Sequence, residues 1–220
     1  MGVISVVIVD DQDLVREGLR MLLQAEPDLR VTGEAGDGRQ ALAEVRRVDP
    51  DVVIMDVRMP ELDGIQAAAQ LVSNGCRARI LMLTTFDLDE YVYRAMKAGA
   101  SGFLLKDASR GQLAEAIRTV HQGDALLAPA ITKRLIEEFC RGPAPGANGS
   151  ALGLSDRELE VCRLVARGLS NGEIAAKLYV SEATVKTHVA HVLSRLGLRD
   201  RVQITVFAYD HGIVRPGRGA

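Results

Sequence analysis

The sequence predicts an α/β fold, a five-stranded doubly wound parallel sheet, followed by a small all-α domain. Three observations lead there. Short runs rich in valine and isoleucine alternate five times with longer segments of helical period. A proline- and glycine-rich stretch at 141–150, almost without apolar residues, then interrupts the pattern as an exposed linker does. Beyond it the apolar segments have helical spacing and none reads as a convincing strand.

The runs lie at 4–9, 31–35, 52–55, 80–83 and 102–105, the second being the weakest. Several are apolar at every position, as strands buried on both faces are. Helical periods fall near 14–25, 38–48, 64–73, 89–98 and 109–121, and Gly99 stands where a glycine closes a helix. Five strand–helix units of this length imply parallel strands with helices on both faces of the sheet. One more helical stretch, near 129–139, leads into the linker. The predicted division is a first domain over 1–122, a helical connector and linker over 123–150, and a second domain over 151–216. In that second domain, Ser155 with Glu158 and Ser170 with Glu173 form capping boxes that open two helices, and Gly168 closes the first. Ser181 caps a third helix, which Gly197 follows, and a fourth spans about 201–210.

Composition narrows the function classes. Hydrophobic residues make up 47% of the chain and charged residues 25%, which is ordinary for a globular protein and unlike a disordered one. No apolar run approaches the ~20 residues that span a bilayer. The first run meets Asp10 and Asp11 at once, unlike a secretion signal. Cys76, Cys140 and Cys162 are odd in number, far apart and without a C-x-x-C pair. Neither a disulfide framework nor a zinc site is therefore expected, and a reducing cytoplasm is. The net charge of −2 conceals a split. Residues 1–140 carry 16 lysines and arginines against 22 acids, net −6, whereas 141–220 carry 11 against 7, net +4. An acidic half joined to a basic half suggests two tasks, the basic one on nucleic acid, although a net charge of this size alone fits ordinary surface variation as well.

In open parallel sheets, ligands bind beyond the C-terminal ends of the strands. The first run ends in Asp10-Asp11, the third in Asp56, the fourth in Thr84 and the fifth in Lys106. Three carboxylates gathered there repel one another unless a cation lies between them, and Mg²⁺ suits oxygen ligands that leave room for water and phosphate. Asp56 has the chemistry of a covalent nucleophile towards phosphorus. Phosphoryl transfer otherwise needs charge neutralisation and a hydroxyl donor, which Mg²⁺, Lys106 and Thr84 supply. Each residue alone has a plainer reading, as a turn, a cap or a solvated charge. Their joint placement at four strand ends carries the weight.

The set Asp10-Asp11, Asp56, Met59-Pro60-Glu61-Leu62-Asp63-Gly64, Thr84 and Lys106 resembles the receiver domain of two-component response regulators, a flavodoxin-like fold. The resemblance implies that Asp56 accepts a phosphoryl group from a sensor histidine kinase. It implies that Asp10, Asp11, Asp56 and the backbone carbonyl of Arg58 hold Mg²⁺, and that Thr84 and Phe103 move together when phosphate arrives. Many receivers have proline after the conserved lysine, whereas Lys106 is followed by Asp107, a variation common in the subfamily named below.

In the second domain, Val185, Val189, Val192, Leu193 and Leu196 form an apolar stripe at helical spacing. The opposite face carries Ala183, Thr187, Ala190 and Ser194, all small, flanked by Lys186 and His191. Small side chains admit close approach to a DNA groove, within reach of Lys186. Only Tyr179-Val180 separates this helix from the preceding one, a helix-turn-helix spacing. The pattern alone fits a plain helical bundle as well as a DNA reader.

The motifs at 154–161, 168–175 and 181–189, continuing through 196–201, resemble the LuxR-type helix-turn-helix domain. With the receiver in front, the chain is similar to response regulators of NarL/FixJ type. The resemblance implies double-stranded DNA as a partner, with Thr184, Lys186, Thr187 and His191 at the interface and Lys186 and Thr187 near bases. Some members have another lysine where this chain has Ala190, so any base contact made by that lysine is missing here. The last helix implies a homodimer contact through Val202, Val206 and Tyr209 in the phosphorylated protein, with RNA polymerase as a further partner. No membrane partner and no enzymatic turnover are expected. Phosphatases with an aspartyl nucleophile typically carry a second aspartate two residues on, where this chain has Arg58. The other rival reading, a receiver that serves only as a dimerisation scaffold, leaves the full pocket without a purpose.

Overall fold

The computed structural model describes residues 2–84, 89–123 and 153–214, without the side chains of Asp89 and Glu90. The chain divides into two compact units between residues 131 and 132. The connector helix expected near 129–139, the linker at 141–150 and Cys140 lie outside the described residues.

In the first unit, strands and helices alternate as β1 (Ile4–Val9), α1 (Asp13–Gln24), β2 (Leu29–Ala35), α2 (Gly38–Val48), β3 (Val52–Asp56), α3 (Gly64–Ser73), β4 (Arg79–Thr84), α4 (Asp89–Lys97), β5 (Gly102–Leu105) and α5 (Arg110–His121). The five strands form one parallel sheet in the order β2-β1-β3-β4-β5. β3 is buried along its whole length, and β1 and β4 nearly so. That agrees with runs that are apolar at every position, because helices cover both faces.

β2 starts at Leu29, two residues before the apolar run. It is an edge strand paired only with β1, so Arg30 and Glu34 project to solvent within it and dilute the hydrophobic signal. The register of β1 against β2 also shifts between Val6 and Val7. Gly99 closes α4 with φ +99°, and a Cβ there would lie 2.7 Å from Val72, so only glycine fits between α4 and α3. Arg118 of α5 clamps the turn before β2, donating to Asp28 at 2.7 and 2.8 Å and to Glu26 at 2.8 Å.

The second unit consists, over its described residues, of four helices: α6 (Asp156–Ala166), α7 (Asn171–Leu178), α8 (Glu182–Leu196) and α9 (Arg201–Asp210). Both expected capping boxes are formed, Ser155 with Glu158 and Ser170 with Glu173. Gly168 and Gly197 follow their helices with positive φ. The core joins Val161, Cys162 and Val165 of α6 to Ile174 of α7, Val185 and Val192 of α8, and Ile204 and Ala208 of α9. Cys162 is a free thiol whose burial pushes its pKa up to about 11, so it acts as a small apolar side chain. Among the described residues, no helix is long and apolar enough to cross a membrane.

Candidate functional site

The sheet order sets β1 beside β3, β3 beside β4, and β4 beside β5, so the ends of four strands meet at one edge. Asp10 follows β1 and is fully buried, Asp56 ends β3 and is nearly so, and Asp11 is exposed. One carboxylate oxygen from each lies within 4.8 Å of the others. Lys106, just past β5, is drawn in by its backbone N–H, which donates to the carbonyl of Thr84 at 2.8 Å. Its ammonium then stands 2.6 Å from Asp10 Oδ2 and 3.0 Å from Asp56 Oδ2. Thr84 is buried at the end of β4, and Phe103 is buried in β5 in register with Met82.

The electrostatics follow from this packing. Burial pushes the Asp56 carboxyl above its ordinary pKa, against the pull of Lys106, and the neighbouring Asp10 charge adds to the rise. For Lys106, burial alone would lower the pKa, but hydrogen bonds to Asp10 and Asp56 outweigh it and the net direction is upward. Asp56 Oδ1 is held by the backbone N–H of Val57 at 2.8 Å. Asp10 Oδ1 accepts from the N–H of Gln12 at 3.0 Å, and its buried Oδ2 faces the Lys106 ammonium at 2.6 Å. Three ionised carboxylates against one ammonium leave an excess of two negative charges. That excess, on carboxylate oxygens gathered within 4.8 Å of one another, fits a divalent, oxygen-seeking cation such as Mg²⁺.

The loop after β3 carries a contact without a sequence signal. Arg58 donates from Nη2 to the Tyr91 hydroxyl at 3.1 Å, and its guanidinium carbon lies 5.1 Å from the ring centroid. The pair is separated by 33 residues, joining this loop to α4. A glycine also matters here. Gly64 donates its N–H to the Val57 carbonyl at 3.0 Å and lies directly against the Asp56 backbone.

In the second unit, α7, the three residues Tyr179, Val180 and Ser181, and α8 form a helix-turn-helix. Val185 and Val192 are buried, while Val189, Leu193 and Leu196 pack at the border of the core. Ala183, Lys186, Thr187, Ala190 and Ser194 are exposed on the other side. The Thr187 hydroxyl donates to the Ala183 carbonyl at 3.0 Å, which leaves its methyl group and lone pairs outward. Thr184 is half-buried and its hydroxyl lies 2.9 Å from that of Ser181, so it completes the helix cap. His191 is exposed, but its Nδ1 lies 3.8 Å from Glu158 Oε1. Glu158 also meets Arg195 at 3.4 Å, and hydrogen bonds from the Ser155 N–H and hydroxyl hold its carboxyl below the usual range.

All three residues expected to form a dimer contact on α9 are buried, Val202 completely and Val206 and Tyr209 nearly so. Tyr209 packs in the core of the second unit together with Ile204 and Ala208. Tyr209→Ala is expected to destabilise this unit by about 2–3 kcal/mol through cavity formation. Thermal melting should show the loss equally at low and high protein concentration. A loss that appeared only at dimer-forming concentrations would assign Tyr209 to the dimer interface instead.

Comparison with known proteins gives a matching picture. Residues 6–118 match the model of the response regulator receiver domain. Residues 152–208 match that of bacterial regulatory proteins of the luxR family. The transcriptional regulatory protein YxjL of Bacillus subtilis is 44% identical over 213 residues, covering 96% of this chain and 98% of its own. LnrK, also a transcriptional regulatory protein of Bacillus subtilis, is 39% identical over 216 residues, with 96% and 98% covered. Among solved structures, the response regulator ChrA of a heme-sensing two-component system aligns with a TM-score of 0.54 at 36% identity. That alignment covers 97% of this chain and 100% of ChrA.

Proposed function

Because the chain belongs to the two-component response regulators of NarL/FixJ type, a receiver domain followed by a LuxR-type DNA-binding domain, we propose that phosphorylation of Asp56 by a sensor histidine kinase promotes dimerisation and sequence-specific binding of promoter DNA. The observation that carries this reading is the Lys106 ammonium shared between Asp10 and Asp56 inside a three-carboxylate cluster. A merely structural ion pair needs no third carboxylate beside it.

Asp56 is the nucleophile. One of its oxygens attacks the phosphorus of the kinase phosphohistidine. The O–P bond forms as the P–N bond breaks, and the imidazole nitrogen keeps the electron pair. Asp10, Asp11, Asp56 and the backbone carbonyl of Arg58 would hold Mg²⁺, which when bound would supply charge neutralisation for the transferring group. Lys106 then pairs with the acquired phosphate oxygens, the Thr84 hydroxyl turns to donate to them, and Phe103 follows Thr84. The result is a population shift. Moving an equilibrium from 1:99 to 99:1 takes about 5.5 kcal/mol of differential stabilisation, shared here among phosphate, dimer and DNA contacts.

On DNA, α8 enters the major groove with Lys186 and Thr187 towards bases and with Thr184 and His191 bordering them. The dimer contact is assigned to α9, where Val202, Val206 and Tyr209 recur at helical spacing; all three are buried in the single chain, so a contact through them requires α9 to be uncovered first. The two copies read half-sites ~34 Å apart, one helical turn of DNA.

The test treats wild type and Asp56→Asn with acetyl phosphate and Mg²⁺ and follows intact mass and oligomeric state. Wild type is expected to gain one labile phosphoryl group and to dimerise, and Asp56→Asn to do neither. Dimerisation and promoter binding by Asp56→Asn in response to the phosphodonor would overturn the scheme.

A further inference from the structure

Only three described residues other than glycine have positive φ: Asp49 at 45°, Glu61 at 61° and Tyr179 at 56°. Aspartate tolerates this conformation, and Glu61 is engaged by Arg39 at 3.5 Å. Tyr179 has neither excuse. It is bulky, it closes α7 in the left-handed conformation, and its backbone N–H is bound to the Ala175 carbonyl. Its side chain is 95% exposed, more than any other large hydrophobic residue described. Among the described residues, its ring meets no partner and its hydroxyl makes no hydrogen bond. Glycine or asparagine would close the helix with less strain, and no packing in this unit compensates for the tyrosine. An outlier whose strain is not repaid within the fold points to function.

Its position says which function. Tyr179 closes α7, the first helix of the pair, and lies two residues before Ser181, the cap of α8. In helix-turn-helix complexes the first helix crosses the sugar–phosphate backbone, and tyrosine hydroxyls are among the groups that bind phosphate oxygens. The exposed Lys177 and Lys186 flank the turn in sequence and favour an anionic neighbour. We propose that Tyr179 is a DNA-positioning residue: its hydroxyl donates to a backbone phosphate beside the major groove and fixes how α8 enters. The proposal rests on the DNA-binding reading of α8. It adds a sequence-independent contact outside the base-facing surface.

A phosphate contact needs no particular operator, so a mixed-sequence duplex long enough for two half-sites serves as the probe. Full-length protein, with and without acetyl phosphate and Mg²⁺, is titrated by fluorescence anisotropy over a range of salt. Tyr179→Asn and Tyr179→Phe are each expected to weaken binding about tenfold, the scale of one hydrogen bond to a charged group. The salt slope should stay unchanged, because the phenol is neutral. Lys186→Ala, by contrast, should weaken binding and reduce the slope. In thermal melts Tyr179→Asn should match or exceed wild type and Tyr179→Phe should equal it. Unchanged affinity in both tyrosine variants, while Lys186→Ala weakens binding, would overturn the proposal and leave the α8 reading standing. A lower melting temperature in Tyr179→Asn would show the ring to be structural and also overturn it. A wild-type chain that binds no duplex would overturn both.

Discussion

Replacing Lys106 with methionine is expected to destabilise the Mg²⁺-free receiver by about 3–5 kcal/mol at neutral pH, the cost of leaving a buried charge without its partner. Lys106 is the cation that meets both Asp10 and Asp56, and its side chain is only 13% exposed. Methionine restores most of the stem but none of the charge. The pH dependence has a definite sign. Burial already pushes the Asp56 carboxyl upward against the pull of Lys106, and removal of the ammonium enlarges that shift. A carboxyl whose folded-state pKa exceeds its unfolded value binds more protons when folded, so the variant regains stability as pH falls and loses it as pH rises through that range. Mg²⁺ should recover much of the loss by mass action, because a divalent cation compensates the same carboxylates. Urea unfolding of wild type and variant, with and without Mg²⁺, reads all three effects. An unchanged midpoint without the metal at neutral pH would mean that the carboxylates do not depend on Lys106. Lys106→Arg, which keeps the charge, separates charge from shape.

The receiver pocket was legible in the sequence because its residues stand at strand ends. Once the runs ending at Asp10, Asp56, Thr84 and Lys106 are strands of one parallel sheet, convergence follows from topology, whatever the side-chain details. The sequence is less explicit where one pattern serves two environments. β2 carries Arg30 and Glu34 because an edge strand has a solvated side, and its start was hidden for that reason. On α9, Val202, Val206 and Tyr209 recur at helical spacing and read as one face. The helix is buried nearly all round, so periodicity cannot choose between faces, and all three residues lie buried beside Ile204 and Ala208. The Arg58–Tyr91 contact leaves no trace in spacing at all, since it depends on how the loop after β3 meets α4. The strain at Tyr179 is likewise invisible until the backbone conformation is known.

Gly64 shows the same limit, and the second large effect is expected there. In the sequence it looks like the ordinary end of a turn, one residue after the cap of α3. In the structure a Cβ at this position would lie 1.9 Å from the Asp56 carbonyl oxygen and 3.0 Å from its carbonyl carbon. Both obstacles are backbone of the innermost strand, which cannot rotate aside as a flexible side chain would. The Gly64 N–H meanwhile holds the Val57 carbonyl, so retreat of α3 would break a bond beside Asp56. Gly64→Ala must therefore move either α3 or the end of β3. Small-to-large changes in packed interiors cost about 1–3 kcal/mol and occasionally more, and a backbone obstacle belongs at or above the upper end. The expected result is a loss of about 3 kcal/mol or more in urea unfolding. A slower gain of phosphoryl mass from acetyl phosphate should accompany it in whatever fraction stays folded, since Asp56 would no longer be held as it is. Gly111→Ala is the control, because a Cβ there meets nothing within 4 Å and α5 should accept it without loss. If Gly64→Ala behaved like Gly111→Ala in both measurements, the close approach of α3 to Asp56 would not be what sets the geometry of that carboxylate.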